Sequence, residues 1–153
     1  MTHPIIAPEY VPWILKEYQH FILLLSSDQR FLGRSLAWLS RSGEMQRFSH
    51  LTGEELKELQ DIMVEYENAI GALWQADHMN YLWLGNNFHE HKEHGHMHLI
   101  PRYEKPRTFA ETVFTDENWG QNCFPHRDFF PPKEVLAGIV SALRAELGPG
   151  KSS

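Results

Sequence analysis

Large apolar residues run without a break from Phe21 to Leu25 and stop at Ser26-Ser27-Asp28. A run this short, closed by turn-forming residues, predicts a buried strand over 18–26. Gly33 punctuates the chain before a second predicted strand, Ser35 to Leu39, and the two are expected to pair antiparallel. The segment Leu51-Thr52-Gly53-Glu54-Glu55-Leu56 carries the marks of a helix start: Thr52 as N-cap, Glu55 completing a capping box, and Leu51 with Leu56 as the hydrophobic staple. Apolar residues then recur at Leu56, Leu59, Ile62, Met63, Tyr66, Ala69, Ile70, Leu73 and Trp74, one stripe of a long amphipathic helix facing a core.

Asn80 to Leu84 favours a strand, with Gly85-Asn86-Asn87 as the turn that ends it. A further strand is expected from His94 to Ile100, stopped by Pro101. Residues 101–131 show no period and are expected to form an irregular loop, a length that in small domains usually serves function or acts as a lid. Pro131-Pro132 then opens a C-terminal amphipathic helix over about 132–147, closed by Gly148-Pro149-Gly150, with 151–153 as a frayed tail. Strands gathered around one long helix, without regular βαβ alternation, indicate an α+β domain built on an antiparallel sheet.

At 153 residues the chain reads as one domain, 1–153, with 42% hydrophobic residues. That composition excludes disorder for most of the chain. Lys plus Arg (14) against Asp plus Glu (20) leaves a net charge of −6, which argues against broad capture of nucleic acid or of an anionic membrane surface. Any phosphate-bearing ligand must therefore be held locally. The single cysteine, Cys123, rules out an intramolecular disulfide and reads as a packed or half-exposed thiol. No apolar run approaches a membrane span and residues 1–10 lack a signal-peptide pattern, so a cytoplasmic location without membrane partner is expected.

Ten histidines are present, and five crowd into His89, His91, His94, His96 and His98. His94, His96 and His98 alternate with Gly95, Met97 and Leu99, so a strand places the three imidazoles on one face and Met97 and Leu99 on the other. Such a row can supply a nucleophile, a phosphate-contacting donor and a proton-managing neighbour. It can equally supply three ligands to a metal, with His89 or His91 as extra donors, and spacing does not separate these readings. Arg102, Lys105 and Arg107 form a small basic group beside the histidines, either solvated charges or a patch for outer phosphates.

The nine residues His94-Gly95-His96-Met97-His98-Leu99-Ile100-Pro101-Arg102 resemble the signature of the histidine triad (HIT) family, and the resemblance extends over roughly Phe21 to Tyr103. Three departures stand out: Gly95 where a hydrophobic residue is usual, a charged, histidine-rich stretch from Asn86 to His94 in place of the more common Gly-Gln-type loop, and Arg34 after Gly33 where many members have His. The resemblance implies a HIT-like antiparallel sheet with one long helix packed on it. It implies a nucleotide phosphohydrolase or nucleotidyl transferase working through a covalent nucleotidyl-histidine, as in diadenosine polyphosphate hydrolase-like members. His96 would be the nucleophile, held through its far nitrogen by a backbone carbonyl near His94. His98 would bond a phosphate oxygen and His94 would support from behind. Asn86, His89 and Arg102 are the expected substrate-binding residues, with Asp28 as a candidate holder of a ribose hydroxyl. No metal site and no required cofactor are implied, although a divalent ion on the substrate phosphates is compatible. The expected partner is a small nucleotide substrate, and a homodimer is the expected assembly. A metal-dependent hydrolase and a nucleotide-binding module with weak turnover are the alternatives.

Overall fold

The computed structural model describes residues 2–42, 47–86 and 94–150. Five strands, β1 (Ile14–Glu17), β2 (Phe21–Leu25), β3 (Ser35–Leu39), β4 (His78–Trp83) and β5 (His96–Arg102), form an antiparallel sheet in the order β1-β2-β3-β5-β4. The triad strand therefore sits inside the sheet, with β3 on one side and β4 on the other. Helix α1 (Gly53–Trp74) and helix α2 (Lys133–Leu147) complete the α+β architecture expected from the sequence. No helix among the described residues is long and apolar enough to cross a membrane.

Alternation along each strand sorts the side chains into two layers. Leu23, Leu25, Ala37, Leu39, Met97 and Leu99 face α1 and α2 and share a core with Leu59, Ile62, Tyr66, Ile70, Ile139 and Leu143. All five residues of β2 are buried, as the continuous apolar run predicts, because the opposite face is covered as well. There Ile22, Leu24 and Trp38 pack with Ile6, while Ile100 packs with Phe31 and Cys123. The packed-thiol reading of Cys123 agrees with this setting.

Helix α1 begins as expected. Thr52 Oγ1 accepts the Glu55 N–H at 3.1 Å, and Glu55 Oε1 accepts the Thr52 N–H at 2.8 Å. Leu56, assigned to the buried stripe from its spacing, is instead 40% exposed on the first turn of the helix, and the buried stripe starts at Leu59. The left-handed Gln75 ends the helix.

Several boundaries differ from the sequence reading: the first predicted strand begins at Phe21 instead of Tyr18, β4 spans His78–Trp83 instead of 80–84, and the histidine strand begins at His96, so that His94 precedes it. Strand β1, preceded by a 3-10 turn over Pro8–Trp13, is new; its four residues include one buried position, too few to make a pattern. Strand β5 runs through Pro101 to Arg102. The Leu39 N–H donates to the Gly95 carbonyl, so odd-numbered residues of β5 turn their backbone groups toward β3. Strand β3 already ends at Ser35, opposite Leu99, so a proline at 101 costs no ladder bond. Residues 101–131 are also less irregular than expected, because β6 (Arg107–Phe109) and β7 (Thr112–Phe114) form a hairpin within them.

Candidate active site

The three histidines lie along one edge-to-middle stretch of the sheet and are 7%, 2% and 7% exposed in the order His94, His96, His98. Their rings are oriented by backbone. His94 Nδ1 lies 2.7 Å from the Leu39 carbonyl, and His96 Nδ1 lies 3.4 Å from the His94 carbonyl. A carbonyl oxygen only accepts, so in each ring Nδ1 carries the hydrogen and, in the neutral imidazole, Nε2 carries the lone pair. The His98 ring follows at 5.0 Å from His96, edge toward face. The row thus presents a basic nitrogen at His96 with a second imidazole beside it.

Strand β3 supplies the neighbour. Trp38 is directly opposite His96 in the register, and its indole stacks against both His94 and His96, with centroids 5.5 and 5.8 Å apart and planes inclined by 29° and 21°. Sequence reasoning did not single out Trp38, although its alternation with Leu36 on a strand placed beside the histidines was a usable signal. A cleft of about 240 Å3 opens beside His98 and is lined by Tyr10, Leu24, Ser26, Arg34, Leu36 and Trp38. A larger cavity of about 420 Å3 lies toward the other end of β5, between β4 and residues 119–123, and includes none of the three histidines.

The remaining candidates are placed in different ways. Asn86 is exposed beyond the end of β4, on the side of the sheet where β5 begins. His89 and His91 lie outside the described residues. Arg102 shares the face of His96 and His98 but is buried, and its five N–H donors are all taken: two by Asp116 at 2.7 and 3.1 Å, and one each by Asn80 Oδ1, the Gln121 carbonyl and the Asn118 carbonyl. It therefore anchors the segment after β7 to the sheet and has no donor left for an outer phosphate. Arg107 is likewise turned inward, donating to the Trp74 and Gln75 carbonyls at the end of α1.

Asp28 is also engaged within the protein. Its Oδ1 accepts the N–H groups of Arg30 and Phe129, and its Oδ2 lies 2.7 Å from both Arg34 Nη1 and His126 Nε2. Burial pushes this carboxyl up; the opposing bonds from Phe129 N–H, His126, Arg30 N–H and Arg34 outweigh it and hold the group below its ordinary value. Burial also pulls the Arg34 guanidinium down, with Asp28 opposing. Phe124 covers this group: Arg34 lies 5.2 Å from its ring centroid, and the ring meets His98 at 5.8 Å and His126 at 5.1 Å. Arg30, Phe124 and His126 were not anticipated, because their meeting with the Asp28–Arg34 turn joins segments roughly ninety to a hundred residues apart.

Among the described residues, Asp28, His126 and Asp128 are the group whose potential metal-binding atoms all lie within 4.8 Å of one another. Arg34 Nη1 lies 2.7 Å from Asp28 Oδ2 beside this group, and the row of His94, His96 and His98 does not converge in this way.

No family model and no curated protein matches the chain. Solved structures do match, and they share the fold of histidine triad proteins. A histidine triad protein from Sinorhizobium meliloti superposes with a TM-score of 0.71 at 16% identity, over 94% of this chain and 97% of that one. A histidine triad protein from Marinobacter aquaeolei gives 0.65 at 20%, over 93% and 94%. A protein described as a hypothetical histidine triad nucleotide-binding protein from Sulfolobus tokodaii gives 0.62 at 20%, over 88% and 83%.

Proposed function

We propose that the protein is a histidine triad nucleotide hydrolase or nucleotidyl transferase, acting on dinucleoside polyphosphates or other nucleotide conjugates through a covalent intermediate on His96. The observation that carries this reading is the pinned His96 ring: its Nδ1–H donates to the His94 carbonyl, which leaves the Nε2 lone pair as nucleophile. The nucleotide-binding description of the Sulfolobus tokodaii neighbour supports the substrate class.

In the first step Nε2 of His96 attacks the phosphorus of the nucleotide, the bond to the leaving-group oxygen breaks, and that oxygen takes the electron pair. His98, next along the face, bonds a non-bridging or leaving-group oxygen, and His94 supports from behind. Water, or another acceptor, then attacks the phosphorus and returns the electron pair to Nε2. Positioning and donors to the developing charge supply most of the acceleration in such transfers, and Asn86, together with His89, which follows β4 in the sequence and lies outside the described residues, is proposed as a donor. Arg102 and Asp28 hold the surrounding loops instead of meeting the phosphates directly. The same reading places the protein in the cytoplasm as a homodimer with no required cofactor.

The test is intact-protein mass spectrometry after brief mixing with diadenosine tetraphosphate in excess chelator, comparing the parent with His96→Ala and following products by chromatography. A transient adenylate mass on the parent, absent from the variant, with AMP released, is the expected result. Activity lost in chelator and restored by zinc or manganese, with no adduct, would make the histidines metal ligands. Tight binding of the nucleotide with neither adduct nor product would leave a binding module.

A further inference from the structure

From a strand position that lines the cleft, the Trp38 indole stacks on two imidazoles at once, and this bears on the charge of the intermediate. When His96 Nε2 bonds to phosphorus while Nδ1 keeps its hydrogen, the ring becomes a substituted imidazolium with a full positive charge. Both ring nitrogens are then committed: Nε2 to phosphorus and Nδ1–H to the His94 carbonyl. The faces of the ring are what remain to meet that charge.

Trp38 occupies one face. It is the cross-strand partner of His96. Because Leu39 N–H donates to the Gly95 carbonyl, the adjacent Trp38–His96 pair is a non-hydrogen-bonded one, the type in which opposing side chains stand closest. The rings are stacked in an offset arrangement, with centroids 5.8 Å apart and planes inclined by 21°, within the roughly 6 Å over which a cation is attracted by an indole π system. Trp38 is buried and packs on Ile6, Ile22 and Leu24, so the attraction acts away from bulk water, where it is strongest. Its second contact, on His94, holds the residue whose carbonyl fixes the tautomer of His96.

We infer that Trp38 is a positioning residue that stabilises the positively charged nucleotidyl-His96 through its π face. The inference rests on the reading of His96 as nucleophile. The bonds made and broken are those of the two steps given above; Trp38 takes no proton and forms no bond. The proton of the attacking water passes to solvent as the electron pair returns to Nε2.

Trp38→Phe keeps a π face of smaller area, and Trp38→Leu keeps an apolar, buried side chain without one. Adduct formation is followed by rapid quench and intact mass with diadenosine tetraphosphate, and AMP affinity by calorimetry. The expected result is a loss of about tenfold in the rate of adduct formation for Trp38→Leu and of about threefold or less for Trp38→Phe, at similar AMP affinity. Equal rates for the parent and Trp38→Leu, or equal losses in both variants, would overturn the inference. Trp38→Met replaces the leucine variant if thermal melting shows the latter unfolded. A second measurement does not depend on the nucleotide chemistry: NMR titration of the His96 ring in the three proteins. The imidazolium should persist to higher pH in Trp38→Phe than in Trp38→Leu by about half a pH unit. The other ionisable groups described on this face, His94, His98, Arg34, Asp28 and His126, are common to all three. Identical titrations would overturn the role of Trp38 whether or not the parent forms an adduct, whereas a missing adduct with the expected titration order would overturn the proposed reaction alone.

Discussion

The helical layer meets the sheet through Leu59, Ile62, Tyr66 and Ile70, all buried and all supplied at helical spacing, whereas the segment after β7 is tied to the opposite face by buried charges. On the helical side the contact is apolar area, which has no direction and tolerates repacking. On the histidine side Arg102 gives all five donors to residues 80–121, and Asp28 and Arg30 grip residues 126–129. Directional contacts of this kind fix a loop over a reactive surface where a plain apolar cover would need its own periodic pattern. The lesson is that the two sides of one sheet can be equally closed for different reasons, and they should fail differently.

The largest effect expected from testing that contrast comes from Asp116→Ala. Removing one partner leaves the buried Arg102 charge uncompensated, at a cost of about 3–5 kcal/mol in urea unfolding. Limited proteolysis should cut within 116–128 of this variant before it cuts the helices. Next is Leu99→Ala on the helical face, with a loss of about 2–5 kcal/mol from the cavity and the lost apolar area. Here amide exchange should accelerate across α1 and the sheet together, which is the global signature that Asp116→Ala should lack. Thr52→Ala removes one arm of the capping box and should cost about 1 kcal/mol by thermal or urea unfolding.

Asp28→Asn stands apart from this order: the amide oxygen can keep the Arg30 and Phe129 N–H contacts, but the amide nitrogen then faces Arg34 and His126 and the largely buried guanidinium loses its carboxylate, so a loss comparable to that of Asp116→Ala is expected at neutral pH. Its interest lies in acid. The folded carboxyl titrates below its unfolded value of about 3.9, so its stabilising contribution is complete above that value. It is lost as pH falls through the lower, folded value. Urea midpoints of parent and variant should therefore differ by a constant amount near neutrality and converge below about pH 4.

Periodicity and punctuation made the helical layer legible. Strand β3 was bounded correctly at Ser35–Leu39, and the Thr52 cap and the C-terminal helix needed only the sequence. The alternating histidines were legible for the same reason, since a strand has a period of two. Strand β1 was not, because one buried residue in four carries no period. Pro101 misled because its cost depends on whether a neighbouring strand is present to need its N–H, a fact of topology. The inward turn of Arg102 and Arg107 was hidden because a basic residue near a phosphate-binding motif and a basic residue satisfied by carbonyls look alike until distant segments are brought together. Trp38 entered only as a member of the predicted strand Ser35–Leu39, and its meeting with His94 and His96 required the β3–β5 register.

The short turn from Asp28 to Arg34 touches both layers. Gly33, at φ +88°, admits Ile70 and Trp74 of α1 so closely that an added Cβ would come within 2.6 Å of the Ile70 side chain. Five residues earlier in the chain, Asp28 receives the loop that bears Phe124 and His126. Gln29 is fully buried and stitches the turn internally, accepting the Gly33 N–H and donating to the Ser26 and Arg34 carbonyls. The turn acts as a rivet through the end of the sheet. Lengthening it by even one residue would shift the helix seat and the loop seat relative to each other, so this is the connection in the molecule where insertions should be least tolerated, despite its being a loop.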